Sequence, residues 1–475
     1  MRDSTKFYID GVWAEPVESR VLEVVSPVTE APFGRIALGA QADLDRAVAA
    51  ARRAFPVYAA STVQDRIALF ERLIAEYRNR RDDLCAAIVD ELGCPPSLAR
   101  DLHAMVGLVH LKTAMNVLKD YPFREQRGPT LLRREPIGVC GFITPWNWPV
   151  NQIAAKVAPA LACGCTIVLK PSELSPFSAT IWAEIMQAAG VPAGVFNMVH
   201  GLGPDIGRGI AQHPGIDMVS FTGSKGAGVE VMQHAAPTVK RVHQELGGKS
   251  ANIVLPDADF PEAVAKGVRA AMMNSGQTCN APTRMLVPRV RLDEAIDIAR
   301  TTAGAIRVGS PEQAADIGPV VSRRQFDKVQ AMIRQGIDEG ARLIAGGPGR
   351  PEGLGSGFFV RPTVFAATNS MSIAREEIFG PVLCVIAYDT VEQAIDIAND
   401  SPFGIAGYVQ GRDEAAIAEV VERLRVGQVS INYPTPDPMA PFGGYKESGN
   451  GREWGDHAFE AYLELKAVLG GTRAA

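Results

Sequence analysis

Apolar positions recur first at the helical period. Leu44, Ala47, Val48, Ala51 and Phe55 fall on one face of a helix predicted over 43–55. Ile67, Phe70, Leu73, Ile74, Tyr77, Leu84 and Ile88 do the same over 63–92. Ser61 and Thr62 supply the N-cap of that helix, and Gly93, Pro95 and Pro96 stop it. A third helix is predicted over 97–118. From residue 137 the texture changes. Short apolar runs at 139–143, 166–169, 195–199, 218–221 and 253–255 alternate with helical patterns near 175–189, 205–212 and 226–235. Strand–helix alternation at this spacing predicts a mostly parallel sheet with helices on both faces, binding ligands outside the carboxyl ends of its strands.

A second alternating region follows residue 260. Helices are predicted near 261–273, 293–305, 322–340 and 413–425, and strands near 381–387 and 427–431. This half reads as a second α/β domain. In the tail, Leu463, Leu465, Ala467 and Leu469 alternate with Tyr462, Glu464, Lys466 and Val468, an amphipathic strand with no neighbour in sequence to pair with. The segment 131–137 reads as another peripheral strand.

Composition narrows the classes. Hydrophobic residues are 47% and charged residues 21% of 475, an ordinary globular mix that excludes disordered, collagenous and coiled-coil chains. Net charge is −5, with no basic excess to grip a nucleic-acid backbone or an anionic membrane. The N-terminus has no apolar core of a secretory signal, and the longest apolar stretch, 157–169, is too short to span a bilayer. Seven scattered cysteines do not form a disulfide framework, so a cytoplasmic protein with free thiols is expected. The histidines show no metal-ligand spacing, and Cys163-x-Cys165 lacks a second pair, so no metal is expected.

Several segments could carry chemistry. Gly276-Gln277-Thr278-Cys279 sets a cysteine on a turn, where it is either a nucleophile or a buried structural thiol. Glu245, before a double glycine, is either a general base or a surface acid beside a turn. Asn147 in Thr144-Pro145-Trp146-Asn147-Trp148-Pro149 either donates to an oxyanion or serves the turn. Lys170 and Glu173 end a strand where an adenosine ribose would sit, and Gly223-Ser224 opens a helix suited to a pyrophosphate. Gly201 to Gly207 mimics a dinucleotide fingerprint, but its third glycine is one residue late, and it reads as a turn.

Together these segments closely resemble the NAD(P)-dependent aldehyde dehydrogenase superfamily. The blocks are TPWNWP at 144–149, LKPSE at 169–173, FTGS at 221–224, ELGGKS at 245–250, GQTC at 276–279, EEIFGPV at 376–382 and PFGGYKESGNGRE at 441–453. They stand in the family's order, and the 34 positions from Glu245 to Cys279 are similar to its spacing. The resemblance implies an α/β fold with a Rossmann-type cofactor domain (1–118 and 138–248), an α/β catalytic domain (249–448) and a small oligomerisation element (119–137 and 449–475). The orphan strand of that element would extend a neighbour's sheet in a homodimer or homotetramer.

The resemblance also implies roles. Cys279 is the nucleophile, Asn147 with the Cys279 backbone N–H forms the oxyanion hole, and Glu245 activates water. Lys170 and Glu173 hold the adenine ribose, Ser224 the pyrophosphate and Glu377 the nicotinamide ribose, with Trp146, Ser172, Gly223 and Phe379 also on the cofactor. NAD is expected, with NADP possible. Trp148 and Phe442 match substrate-tunnel positions, and Gln152 and Asn280, with Asn151, add neutral polar groups. No arginine lies over 150–161 to pair with a second carboxylate. The expected substrate is a medium-sized aliphatic or ring-bearing aldehyde, and the chain resembles bacterial catabolic members acting on aldehydes from ring degradation. A CoA-acylating enzyme, which would need no water-activating Glu245, and a non-enzymatic structural or binding role are the alternatives.

Overall fold

The computed structural model describes residues 1–471. The run from residue 139 to 245 builds the centre of an eight-stranded sheet. Its five central strands are parallel, in spatial order Arg241–Glu245, Met218–Thr222, Val139–Ile143, Thr166–Lys170 and Phe196–Met198. The strands Val139–Ile143 and Thr166–Lys170 are buried at every position, which is why they read as continuous apolar runs rather than alternations. The helix Pro149–Cys163 joins these two strands. It starts on a proline, which needs no N–H partner there, and stops at Gly164 in the left-handed region (φ 92°). The chain first lays down the edge strands Phe7–Ile9 and Val12–Ala14, then from residue 139 starts at the middle strand, builds outward on one side, and crosses to build on the other. Strand order therefore reverses beside Val139–Ile143, and a crevice opens at the carboxyl ends.

A second sheet of seven strands follows. Its order is Arg342–Ala345, Thr363–Ala366, Val382–Tyr388, Arg284–Pro288, Ala251–Val254, Ala406–Gln410 and Gln428–Ile431, parallel except at the first pair. Each sheet packs helices on both faces and has its own buried apolar clusters. Late in the chain, Gly449–Asn450 returns to pair antiparallel with Gln244 and Glu245 at the edge of the first sheet.

Several elements differ from their sequence expectation. The long helix over 63–92 is two helices, Val63–Asn79 and Arg81–Leu92, broken at Arg80 (φ −102°, ψ 7°), whose guanidinium is drawn to Asp83 and Glu184. The region 205–212 is a π-turn, Gly203–Gly207, leading into a short helix, Arg208–Gln212. The strands Arg241–Glu245, Arg284–Pro288, Thr363–Ala366 and Ala406–Gln410 escape the apolar pattern because they are short or carry polar residues. The tail strand is not an orphan. Leu463–Leu469 pairs along its whole length with Thr130–Pro136, which also pairs with Arg124–Arg127. Some 330 positions separate the partners, so no local signal announces the pairing. Residues 472–475 of the proposed oligomerisation element lie outside the described residues.

Candidate active site

The TPWNWP turn follows the middle strand of the first sheet, at the crevice. Asn147 is buried, and its Nδ2 donates to the carbonyl of Gln277 at 3.0 Å while its own carbonyl accepts from Asn274 Nδ2 at 2.9 Å. A side-chain amide has two N–H groups, so this arrangement commits one and leaves the other available beside the GQTC loop.

That loop is strained. Asn274, Ser275 and Gly276 are consecutive left-handed residues (φ 52°, 56° and 71°). Such backbone costs about 1–3 kcal/mol per non-glycine residue and persists only when its surroundings hold it. Here Ser275 Oγ donates to the Gly318 carbonyl at 2.7 Å, and Gln277 Oε1 accepts from the Val321 N–H at 2.9 Å. A Cβ on Gly276 would lie 2.0 Å from the Gly380 carbonyl oxygen, so only glycine fits. The result presents Cys279 half-buried against a cluster of Ile405, Ala406, Tyr408 and Phe442. Burial, followed by the negative charge of Glu245, pushes the Cys279 thiol far above its ordinary range. The thiol form is therefore favoured, and forming the thiolate needs a proton acceptor.

Glu245 ends its strand buried, and neither carboxylate oxygen has a hydrogen-bond partner. Burial, and then repulsion from Glu453, push its carboxyl well above the usual range. Glu453 is itself buried, but the Lys156 ammonium, 2.5 Å away, offsets that burial and holds it ionised. The imidazole of His243, two residues before Glu245 on the same strand, brings Nε2 to 3.6 Å from Glu245 Oε1.

The cofactor positions lie on the same side of the sheet. Lys170 Nζ pairs with Oε2 of the half-buried Glu173 at 2.9 Å, and its charge holds the Glu173 carboxyl below its ordinary value. Ser172 Oγ accepts from the Leu174 N–H at 3.2 Å. Gly223 precedes Ser224, the N-cap of the helix Lys225–Ala235, and a Cβ on Gly223 would strike the Phe221 ring at 2.5 Å. Ser224 and Glu377 both line a cavity of about 860 Å³ with Lys225, Lys328, Arg375 and Lys446. Glu377 Oε1 accepts from the Gly248 N–H at 3.0 Å, and a Cβ on Gly247 would lie 2.2 Å from its other oxygen. Phe379 is held at φ 59° and meets Trp146 edge-on at 5.4 Å. A helix N-terminus opening into a lysine-lined cavity, with a carboxylate on its rim, fits the pyrophosphate and ribose of a dinucleotide.

On the opposite side, Trp148 stacks on His103 at 4.0 Å and donates Nε1–H to Thr278 Oγ1 at 3.1 Å. Phe442 stacks on Trp454 at 4.9 Å, and His110 meets Trp454 edge-on while bonding to Asn151 at 2.8 Å. Gln152 is buried next to Asn151. Asn280 is half-buried, and its carbonyl accepts from the Tyr408 hydroxyl at 2.9 Å. Burial depresses His103 to about 3 and lowers His110, so both rings are neutral. Sequence reasoning gave no role to Lys156, His243, Glu453, Trp454 or His103. A lysine as the one charged residue of the helix Pro149–Cys163 is a usable signal for the first; the rest depend on long-range contacts.

A half-buried cysteine, an amide donor and an unpaired carboxylate, together with this lysine-lined cavity, are the setting of a dehydrogenase. The chain belongs to the aldehyde dehydrogenase family, whose model matches residues 13–468. It is 54% identical over 473 residues, 99% of each chain, to a 3-succinoylsemialdehyde-pyridine dehydrogenase of a Pseudomonas species. Among solved structures it is similar to a mutant of aldehyde dehydrogenase C from Pseudomonas syringae in complex with NAD+ and octanal, at TM-score 0.98 and 53% identity, covering 99% of this chain and 98% of that one. It is also similar to a Mycobacterium tuberculosis aldehyde dehydrogenase complexed with NAD+, at TM-score 0.96 and 41% identity, covering 98% of each. Among the described residues no helix is long and apolar enough to cross a membrane.

Proposed function

We propose that this protein oxidises a medium-sized aliphatic or ring-bearing aldehyde to its carboxylic acid, with NAD as the oxidant. The observation that carries the reading is the meeting of Asn147 with the Cys279 loop while Glu245 stays buried without a partner. The Cys279 thiol gives its proton to solvent as its sulfur adds to the aldehyde carbon, and the alkoxide accepts hydrogen bonds from the free Nδ2–H of Asn147 and the Cys279 backbone N–H. Bound NAD supplies the hydride acceptor, and a thioester on Cys279 remains. Glu245 then takes a proton from water as its oxygen attacks the thioester, and passes it to the departing Cys279 sulfur, releasing the acid and restoring the thiol.

Lys170, Ser172 and Glu173 would hold the adenine ribose, Gly223 and Ser224 the pyrophosphate, and Glu377 with Trp146 and Phe379 the nicotinamide end. The Glu173 carboxylate favours NAD over NADP, whose 2′-phosphate it would repel. Trp148, Phe442, Gln152 and Asn280 would border the substrate. Neutral imidazoles and stacked aromatic rings suit an apolar or ring-bearing chain, as do the octanal of one relative and the pyridine of another.

The domain plan we propose places residues 1–118 and 138–248 around the cofactor, 249–448 around the nucleophile, and 119–137 with 449–475 in oligomerisation. In the single chain Leu465 is 62% and Leu469 82% exposed on the tail strand, an apolar face that supports a homodimer or homotetramer. Unpaired thiols throughout the described residues suit a cytoplasmic setting.

The test is NADH formation with hexanal, benzaldehyde and succinic semialdehyde, with and without CoA. Hexanal or benzaldehyde should give the highest kcat/KM, with no dependence on CoA. A clear preference for succinic semialdehyde would refute the substrate assignment, and a CoA requirement would refute hydrolysis through Glu245. Glu245→Gln should give a burst of about one NADH per site followed by slow turnover.

A further inference from the structure

Behind the proposed deacylation base lies a group of four buried titratable side chains drawn from three parts of the chain. Glu245 and His243 stand two residues apart on the strand Arg241–Glu245, so both point to one face of the sheet. Lys156 comes from the helix Pro149–Cys163 and Glu453 from the segment after Gly449–Asn450. Lys156 and Glu453 satisfy one another, whereas both His243 nitrogens and both Glu245 oxygens lack hydrogen-bond partners. Buried polar atoms without partners are rare, and two such side chains 3.6 Å apart call for an explanation.

The backbone around them is cut to fit. A Cβ on Gly443 would lie 2.8 Å from Glu245 Oε1, and one on Gly451 would lie 2.4 Å from His243 Cδ2 and 2.7 Å from Nε2. The Gly451 backbone is also left-handed, at φ 83°. Two glycines of one C-terminal segment thus make room for the two side chains. The gap between His243 and Glu245 exceeds a good N–H···O bond by about half an ångström, which a small side-chain rotation closes.

We infer that His243 is a positioning residue for hydrolysis: its Nε2–H donates to Glu245, holding the carboxylate ionised and turned toward the water that attacks the thioester. The inference rests on the reading of Glu245 as the deacylation base. An N–H bonded to a carboxylate favours its charged form, so the imidazole counters the burial and the Glu453 charge that oppose ionisation. Glu453, Lys156 and Arg452 are the charged groups facing His243 apart from Glu245, and burial keeps the ring neutral, at about 4. It therefore stays a one-proton donor across the working range. Its Nδ1 carries no proton in this arrangement, and the pair gains a proton only when Glu245 takes one from water.

The experiment compares His243→Phe, which keeps a ring but has no N–H, with His243→Gln, whose amide N–H can donate. Both are read by rapid-mixing NADH bursts and by the pH profile of kcat. His243→Phe should keep a burst of about one NADH per site, lose about tenfold in kcat, and move the acid limb of the profile up by about one pH unit. His243→Gln should recover most of the rate and the original limb. His243→Leu replaces Phe in the comparison if the Phe variant fails to fold. An unchanged limb in the variant without N–H, or a Gln variant no better than it, overturns the inference. Glu245→Gln in the same assay separates the two levels. If it still hydrolyses the thioester, the base itself is misassigned; if it stalls while His243→Phe behaves as wild type, only the role of His243 falls.

Discussion

Lys156 Nζ meets Glu453 Oε1 at 2.5 Å across 297 positions of sequence, with both side chains essentially out of contact with solvent. The pair ties the helix after the TPWNWP turn to the last segment before the tail, and its negative end faces Glu245 and His243. A buried ion pair adds little net stability, but removing one partner leaves an uncompensated charge.

Lys156→Met should therefore destabilise the fold by about 3 kcal/mol or more. The double variant Lys156→Met with Glu453→Leu should recover much of that loss. Urea unfolding of the three proteins checks this. A single variant as stable as wild type would mean that Glu453 finds another partner or takes up a proton without cost.

Cys279→Ala should abolish aldehyde oxidation and leave NAD binding near wild type, since Cys279 is not among the residues proposed to hold the cofactor. Turnover and cofactor titration by fluorescence read the two properties separately. Turnover above a few per cent would point to a different nucleophile.

Away from the site, Glu91 is buried and accepts the backbone N–H groups of Phe177 and Ser178 on one oxygen. Burial outweighs these donors and pushes its carboxyl from 4.5 to about 7. The folded state thus holds a proton that the unfolded chain releases at lower pH. Stability present below pH 4.5 is lost as pH rises through about 7. Glu91→Gln keeps the acceptor and removes the loss. It should be neutral at pH 4 and more stable than wild type at pH 8 by up to about 3 kcal/mol. Equal urea midpoints at both pH values would contradict it.

Leu465→Glu with Leu469→Glu places charge on the exposed face of the tail strand without touching its pairing to Thr130–Pro136. The variant should dissociate to monomers by light scattering at micromolar concentration. A wild-type protein that is already monomeric would remove the basis for this expectation.

The parallel core was legible because strands buried on both faces, such as Val139–Ile143, leave unbroken apolar runs, and the helices between them keep their period. The break at Arg80 was not, because the apolar face continues across it while side-chain partners elsewhere bend the backbone. Cys279, Glu245 and Asn147 could be named from local motifs. The surroundings that set their proton affinities could not, since Lys156, His243 and Glu453 acquire meaning only when 297 positions of chain close on themselves. The pairing of Leu463–Leu469 with Thr130–Pro136 was hidden for the same reason.

The return of Gly449–Asn450 to the edge strand beside Glu245 has a consequence for biosynthesis. On the ribosome Cys279, Glu245 and Asn147 all emerge long before residue 449. Until residues 449–453 leave the exit tunnel, the strand edge at Glu245 stays open to solvent, without Glu453 beside it. A nascent chain can therefore carry Cys279, Glu245 and Asn147 and still lack the buried setting of Glu245, which forms only once the segment through Glu453 has been made.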